Sequence, residues 1–294
     1  MLLVRNNRAM RPLTGWSISD AFLLIGGLCF VVPPMLEVAR LNWSTEQGGH
    51  GPIVLATGLW LLFREYGQAK HLKRPGNRLL GIAALAVLVP IYVLMGITGI
   101  LELQVFAMYF GLIAAAYLLL GSQVLRALWF PLFYLAFALP PPDSVVAVIT
   151  QPVKIAISDT AVALLYALGY PVGSSGVVIQ IAQYELLVAA ACAGLNSLIS
   201  LSAICLFYVY LRHRNDYKAF IAMSLAVIPV AVFSNFVRVI ILILMTYYIS
   251  ESAAQGFLHD FAGIVTFAAA LGTMLAIEAI YSAFRSRKIA AANA

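Results

Sequence analysis

Residues 81–93 read GIAALAVLVPIYV, and this uncharged stretch decides the class of fold. Extended on both sides to 79–98, it has the roughly 20 apolar residues that a helix needs to cross a bilayer. The whole chain is 63% hydrophobic and 10% charged, with a mean hydropathy of +0.95. Soluble domains carry about one-quarter charged residues, and a β-barrel would show short alternating segments. The sequence therefore predicts an all-α, polytopic transmembrane helical bundle.

Apolar runs of this length predict about eight transmembrane helices in a single transmembrane domain, residues 1–294. The apolar run that follows the basic segment 1–12 lacks a convincing cleavage site, which favours an uncleaved first helix. The predicted spans are 17–36, 51–64, 79–98, 103–120, 123–139, 187–211, 218–249 and 257–283.

The segment 140–186 is predicted to be an outer-face insertion within this domain. It opens with the sequence PPPD at 140–143, which ends a helix because proline lacks a backbone donor and fixes φ. A moderately amphipathic helix follows at about 144–169, so we expect it to lie along the interface or to re-enter partway. A short, turn-rich outer loop comes next. Within it, residues 177–181 are consistent with a short strand.

Basic residues are concentrated on one side of the predicted topology. By the positive-inside rule, that side is cytoplasmic and both termini lie there. Because these residues flank the membrane, the net charge of +6 does not indicate a nucleic-acid surface, and we expect no nucleic-acid partner. Fifteen of the 18 basic residues belong to this set: Arg5, Arg8, Arg11, Arg64, Lys70, Lys73, Arg74, Arg78, Arg126, Arg212, Arg214, Lys218, Arg285, Arg287 and Lys288.

Three reactive side chains interrupt the apolar sequence, namely Cys192, Arg238 and His259. Arg238 lies within the run SNFVRVIIL at 234–242. A guanidinium at mid-bilayer depth costs about 2.5–3.5 kcal/mol even on the lenient insertion scale, so such a residue is a functional-site hypothesis by default. The predicted topology puts all three residues in the outer half of the bilayer. We therefore predict that they converge in one pocket.

A thiol, an imidazole and a guanidinium together permit acyl transfer. Cys192 attacks an acyl carbon as a thiolate, and His259 takes its proton and returns it to the leaving amine. Arg238 stabilises the developing oxyanion through charge-assisted hydrogen bonds. Asn235 and Asn196 lie three and four residues from Arg238 and Cys192, so on a helix they share the same faces and support the site or the substrate.

Plainer interpretations exist for each residue. Cysteine in a transmembrane helix commonly only packs, and we interpret Cys29 and Cys205 in this way. We expect His213 to be solvated in a basic loop, and Glu278 to lie towards the cytoplasmic side. The alternative function is a membrane carrier or channel that uses Arg238 to bind an anionic or lipid-linked substrate. No metal or organic cofactor is expected, because acyl transfer by a thiolate needs none.

Three motifs resemble those of the exosortase/archaeosortase family. They are ACAGLNSLIS at 191–200, NFVRV at 235–239 and LHDFAG at 258–263, in the family's order and spacing. The likeness extends from about residue 40 over nearly the whole chain. Its upstream part comprises His50-Gly51, Phe130-Pro131-Leu132-Phe133, Leu139-Pro140-Pro141-Pro142 and Gly169-Tyr170-Pro171-Val172.

The resemblance implies a membrane-embedded cysteine protease and transpeptidase in the bacterial inner membrane, with its active site facing the periplasm. Its substrates would be exported proteins that end in a Pro-Glu-Pro-type motif, a transmembrane helix and a basic tail, linked to surface or extracellular polysaccharide. Cys192 would be the nucleophile, His259 the base and Arg238 the oxyanion-stabilising group. The implied partners are these proteins, membrane lipids and an acceptor that the sequence does not identify.

The motifs also depart from the family pattern. Ala193 stands where the family usually has serine, Asn196 where it usually has arginine, and Ala190 where glutamate is common. These differences leave open which sorting signal is read. We expect the outer loop at 171–186 and the region of His50 to contact that signal.

Overall fold

The computed structural model describes residues 18–45, 48–175, 178–187, 194–249 and 257–292, and the chain is mostly helical over these ranges. Two 3₁₀ turns, Lys70–Leu72 and Ala136–Ala138, each follow directly on an α-helix. The helices are α1 (Ile18–Leu41), α2 (Gly51–Ala69), α3 (Arg78–Thr98), α4 (Leu101–Leu120), α5 (Ser122–Ala127), α6 (Trp129–Leu135), α7 (Asp143–Ala167), α8 (Gly194–His213), α9 (Tyr217–Tyr248) and α10 (Phe257–Ala292).

Four helices in the described ranges are long and apolar enough to cross a membrane: α3, α4, α7 and α9. Three of them coincide with predicted spans. The fourth, α7, is the segment predicted to lie along the interface, and its residues 144–167 have spanning length and composition. The other five predicted spans are helical over most of their described residues but do not meet both criteria there. Within the described ranges, the predicted total of about eight spans is therefore not confirmed.

The predicted fifth span, 123–139, is interrupted. It consists of α5, a break at Leu128, α6 and a 3₁₀ turn, and its apolar helical part, Trp129–Ala138, is shorter than a span. The break has a local cause. Pro131 has no backbone N–H, so the carbonyl of Ala127 loses the helical hydrogen bond that it would receive.

Helices α3 and α4 form a tight hairpin whose ends follow from local chemistry. The side chain of Asn77 caps α3 by accepting hydrogen bonds from the backbone N–H groups of Leu79 and Leu80. Gly99 ends the helix in the left-handed conformation, with φ of 72°, and its N–H donates to the carbonyl of Met95. A residue with a Cβ adopts this conformation only at a cost, so glycine suits this turn.

A short antiparallel sheet follows α7 and has the strand order β1-β2-β3. Its strands are β1 (Val172–Ser175), β2 (Val178–Ile181) and β3 (Tyr184–Leu187). The predicted strand at 177–181 is confirmed as β2, and β1 and β3 were not predicted. The sheet packs on α7 and α9 through a core of Ile157, Ala161, Leu165, Val172, Ile179, Ile181, Val239 and Ile243.

Most of the connections predicted to be basic meet at one end of the bundle, which we call the basic end. Arg214 after α8 pairs with Glu65 of α2, and Arg285 of α10 pairs with Asp216 before α9. The backbone N–H of Arg74 donates to the carbonyl of Leu120, which brings the α2–α3 connection to the end of α4. The basic residues that the sequence assigned to one side of the membrane therefore also lie together at one end of the structure. We call the other end of the bundle the outer end.

Helices α8, α9 and α10 form one packed unit. Its core contains Leu201 and Cys205 of α8, Ala231 of α9, and Ala270 and Met274 of α10. The interpretation of Cys205 as a packing residue is confirmed, because its side chain is buried in this core. The same interpretation is wrong for Cys29, whose side chain is exposed on α1. Within this core, Leu201, Ala231 and Ala270 are the members that come closest to the outer end along their helices. From this level the three helices continue outwards to the candidate site.

Candidate active site

Asn235 and Arg238 are buried together on α9. Arg238 is 2% exposed and Asn235 is 4% exposed. The two residues continue the stripe that carries Ala231 in the core, since seven residues bring a helix back to almost the same face. A guanidinium with its amide neighbour thus occupies the inside of the protein and not the lipid surface.

The amide of Asn235 has an unusual environment. Neither its oxygen nor its nitrogen has a hydrogen-bond partner among the residues that the structure describes, although both atoms are buried. Buried polar groups in proteins are nearly always hydrogen-bonded, so an orphan amide needs an explanation. A carboxamide held free beside a buried cation has both a donor and an acceptor available for a peptide backbone.

His259 lies in the first turn of α10, and its side chain is outside the described residues. It precedes Ala270 by eleven residues, which is just over three helical turns, so the two positions lie on the same side of α10. By helical rise, His259 lies about 16 Å outwards from the level of Ala270, and Arg238 lies about 10 Å outwards from Ala231. Both positions therefore lie beyond the shared core, towards the outer end.

Cys192 and its neighbours 188–193 lie outside the described residues. In sequence Cys192 precedes the start of α8 by two residues. Asn196 lies within the first turn of α8, and its side chain is also outside the described part of the chain. The predicted convergence of sulfur, imidazole and guanidinium therefore stays a prediction.

His50 joins three distant segments of the chain. Its Nε2 lies 3.1 Å from the carbonyl oxygen of Phe137, and its Nδ1 lies 2.8 Å from the hydroxyl of Ser200. Ser200 is in the second turn of α8, eight residues after Cys192. The sequence predicted that the region of His50 contacts the signal. In the structure both ring nitrogens bind protein atoms, which favours a supporting role.

A cavity of about 340 Å³ opens beside His50 at the outer end, and we call it the outer pocket. Its walls come from the end of α1, the start of α2, the α3–α4 turn, the segment 137–141 and Ile199 of α8. Glu102 supplies the one charged side chain among the described lining residues. Sequence reasoning missed both Ser200 and Glu102. A lone carboxylate at the start of the apolar run 101–120 was the available signal for Glu102.

The basic end holds a second polar cluster, centred on Glu278. This carboxylate is 6% exposed and accepts hydrogen bonds from Tyr208 and Ser282. Arg212 lies 3.5 Å and His213 Nε2 lies 3.2 Å from the same carboxylate oxygen. The expectation that His213 is solvated is wrong, because its side chain is only 10% exposed. His213 is the last residue of α8 and not part of a loop, and its imidazole faces the carboxylate of Glu278 on α10.

In the described ranges, no group of three His, Cys, Asp or Glu side chains is arranged to hold a metal ion. The arrangement at the outer end instead offers a buried guanidinium, an orphan amide and a helix that starts beside a cysteine. These are the parts that stabilise and orient a reacting carbonyl.

The fold and these groups define the class: a helical membrane protein with a buried polar site towards one end. The model of the transmembrane exosortase family (Exosortase_EpsH) matches residues 43–276, about four-fifths of the chain. The chain therefore belongs to the transmembrane exosortases, a family of membrane cysteine proteases and transpeptidases that process sorting signals. No curated protein and no solved structure gives a significant match.

Proposed function

We propose that this chain cleaves the C-terminal sorting signals of exported proteins and transfers the cleaved proteins to an acceptor. The signal is a short motif of the Pro-Glu-Pro type or a variant of it, followed by a transmembrane helix and a basic tail. The proposal rests on membership of the exosortase family. Among the structural observations, the buried pair Asn235 and Arg238 carries it, because such a pair is expensive to bury without a task.

The chemistry proceeds in two acyl transfers. His259 takes the proton of Cys192, and the sulfur attacks the scissile carbonyl carbon to give a tetrahedral oxyanion that Arg238 stabilises. Collapse of this intermediate breaks the C–N bond, His259 protonates the leaving amine, and a thioester remains on Cys192. An acceptor nucleophile then attacks the thioester, its proton passes to His259, and the thiol is regenerated.

The packing of α8, α9 and α10 supports this assignment. These three helices share one core, and each leads outwards to one of the three proposed catalytic positions. Cys192 comes directly before α8, Arg238 follows the core by about two turns of α9, and His259 begins α10. Residues in one layer of a three-helix unit can meet even when 67 residues separate the first from the last in sequence.

The orientation of the protein is part of the proposal. The basic end would face the cytoplasm by the positive-inside rule, and the outer end would face the periplasm of a bacterial inner membrane. This arrangement suits exported substrates, since their motif would stand at the outer surface while their basic tail stays inside. The implied link is to surface or extracellular polysaccharide.

The test is co-expression with a secreted reporter that ends in a sorting segment from the same genome. We expect the wild-type protein to remove the segment, and we expect Cys192→Ala and His259→Ala to abolish removal. Cys29→Ala is the matched control, because Cys29 is an exposed free cysteine far along the chain from the site. Its cleavage should equal that of the wild type.

The rival function gives the opposite result. A carrier or channel that binds an anionic substrate through Arg238 would tolerate Cys192→Ala and would depend on Arg238 alone. Retained reporter processing in Cys192→Ala, at normal protein levels, would refute the proposed enzyme. A thioester trapped on Cys192 and released by hydroxylamine would support it directly.

A further inference from the structure

An apolar groove adjoins the outer pocket. It is a cavity of about 250 Å³ between α4, the α6 segment and α8, and its lining is almost wholly apolar. Phe106 comes from α4, Phe133 from α6 and Ile199 from α8. Phe133 is 49% exposed, so the groove has an accessible rim on the apolar flank of the bundle. We call it the lateral groove.

The lateral groove and the outer pocket share a wall. Phe137, Leu139, Pro141 and Ile199 line both cavities. A ligand can therefore be apolar along the flank of the bundle and polar at its outer end without leaving the protein surface. Ile199 lies seven residues after Cys192 and next to Ser200, so the shared wall includes the helix that begins at the cysteine motif.

A second apolar groove serves as a comparison. It lies between α1, α2 and α4, has a volume of about 470 Å³ and includes Leu36 and Leu59. This groove is larger, but among the described lining residues it shares only Leu139 with the outer pocket and includes none from α8. The larger volume favours the second groove as the binding site. The lateral groove, however, is continuous with the outer pocket and with α8, the helix that follows Cys192. A substrate must reach that cysteine to react, so the lateral groove is the better candidate.

We propose that the transmembrane anchor of the substrate binds in the lateral groove and that the chain preceding the anchor enters the outer pocket. This inference rests on the proposed function and names the surface that the substrate uses. An anchor helix beside α4 and α6 would present its outer end to the shared wall. The extended chain would then continue past His50 and Ile199 towards the start of α8.

The charge of the outer pocket sets a preference for the entering chain. Glu102 is the charged residue in its described lining, and its carboxylate forms no hydrogen bond or ion pair with another described residue. Asn42, Thr45 and His50 complete the polar wall. An acidic side chain, such as the glutamate of a Pro-Glu-Pro motif, would be repelled there, so the pocket favours a variant motif with a basic or hydrogen-bond-donating side chain.

The experiment is site-specific photocrosslinking to the reporter described above. A benzophenone side chain is incorporated at position 133 in the lateral groove or at position 36 in the second groove. Phe133 and Leu36 are 49% and 52% exposed, so the two probes are matched in exposure. Cys192→Ala holds the substrate uncleaved during irradiation. In a Cys192 background, each benzophenone variant is first checked for folding and for reporter cleavage.

We expect a strong crosslink to the anchor from position 133 and at least a fivefold weaker one from position 36. Equal crosslinks, a stronger crosslink from position 36, or none from either would overturn the inference. If the wild type still cleaves the reporter in that case, the proposed function stands. A crosslink from position 133 without any reporter cleavage would support the docking surface and contradict the proposed enzymatic function.

A second arm tests the outer pocket. The reporter carries lysine, glutamine or glutamate directly before its anchor and is assayed with the wild type and with Glu102→Gln. We expect the wild type to process the lysine form at least fivefold faster than the glutamate form, and Glu102→Gln to lose most of this difference. If Glu102→Gln leaves the ratio of lysine-form to glutamate-form processing rates unchanged, then Glu102 does not contact the substrate, and the proposed role of the outer pocket is wrong.

Discussion

The hydroxyl of Ser200 and Nδ1 of His50 form a hydrogen bond of 2.8 Å, although 150 residues separate them. The other ring nitrogen, Nε2, donates to the carbonyl oxygen of Phe137 over 3.1 Å, because a carbonyl oxygen only accepts. The imidazole therefore ties the start of α2 and the end of the α6 segment to α8. The helix that follows Cys192 is held by this tie.

We predict that His50 and Ser200 act as positioning residues for the cysteine-bearing segment. Ser200→Ala removes the tie to α8, and we expect reporter cleavage to fall about tenfold, since small misplacements of reacting groups are costly. The loss of stability should be modest, about 0.5–1.5 kcal/mol for one hydrogen bond. Cleavage rates and thermal unfolding in detergent measure the two effects separately.

The control for this prediction is a double-mutant cycle. His50→Gln keeps a donor for the carbonyl of Phe137 and removes the ring nitrogen that hydrogen-bonds to Ser200. Combined with Ser200→Ala, it should cost little more cleavage than either change alone, because both variants remove the same bond. Fully additive losses would contradict the positioning role, as would loss of stability with cleavage per folded molecule unchanged.

The orphan amide of Asn235 predicts opposite changes in stability and activity. Asn235→Leu replaces a buried, unpartnered carboxamide by an apolar side chain of similar size, which should stabilise the fold by about 1 kcal/mol or more. Cleavage should fall at least tenfold if the amide binds the substrate. The measurements are thermal unfolding and reporter cleavage. A variant that is both less stable and fully active would show that the amide is not held for catalysis.

Arg238 should be sensitive to shape as well as to charge. We expect Arg238→Met to lower cleavage by about 100-fold or more, the magnitude found when one oxyanion donor is removed. Arg238→Lys should retain part of the activity, because it keeps the charge but loses the planar, multiple-donor guanidinium. Single-turnover rates distinguish the variants. Equal activity in the lysine and methionine variants would exclude a charge-based role.

We expect the Glu278 cluster to contribute to the stability of the fold and not to the rate of substrate cleavage. Glu278 lies nineteen residues after His259 on α10, about 28 Å along the helix. Glu278→Leu leaves the enclosed His213 without its acid and should destabilise the protein by about 1–3 kcal/mol. Cleavage per folded molecule should be unchanged. Arg285→Ala, which breaks a more exposed pair at the same end, is the matched control with a smaller effect.

The proposed orientation predicts which ends label from outside the cell. Gln183 lies exposed in the β2–β3 turn, and Asn215 lies exposed at the basic end. In a variant that lacks Cys29, Cys192 and Cys205, Gln183→Cys should react with a membrane-impermeant maleimide in spheroplasts. Asn215→Cys should react only after lysis. The reverse labelling pattern would show that the proposed orientation is inverted and that the outer pocket faces the cytoplasm.

Local sequence was sufficient for much of the fold. Apolar length predicted α3, α4 and α9, because a helix satisfies its own backbone hydrogen bonds and needs only an apolar surface to enter lipid. The loop after α7 contained enough β-branched residues to predict β2. Local sequence was insufficient for α7, since its apolar contacts include Val239 and Ile243 of α9, which lie far along the chain.

What the sequence determined by itself was the membrane class, the basic end and the three reactive side chains, since hydropathy, charge and motif spacing are properties of short segments. Only the tertiary structure decided that Arg238 and Asn235 are buried together, that His213 turns in towards Glu278, and that His50 reaches Ser200. The reason is physical: which faces of two helices meet depends on the packing of side chains from distant parts of the chain, and no local pattern encodes that choice.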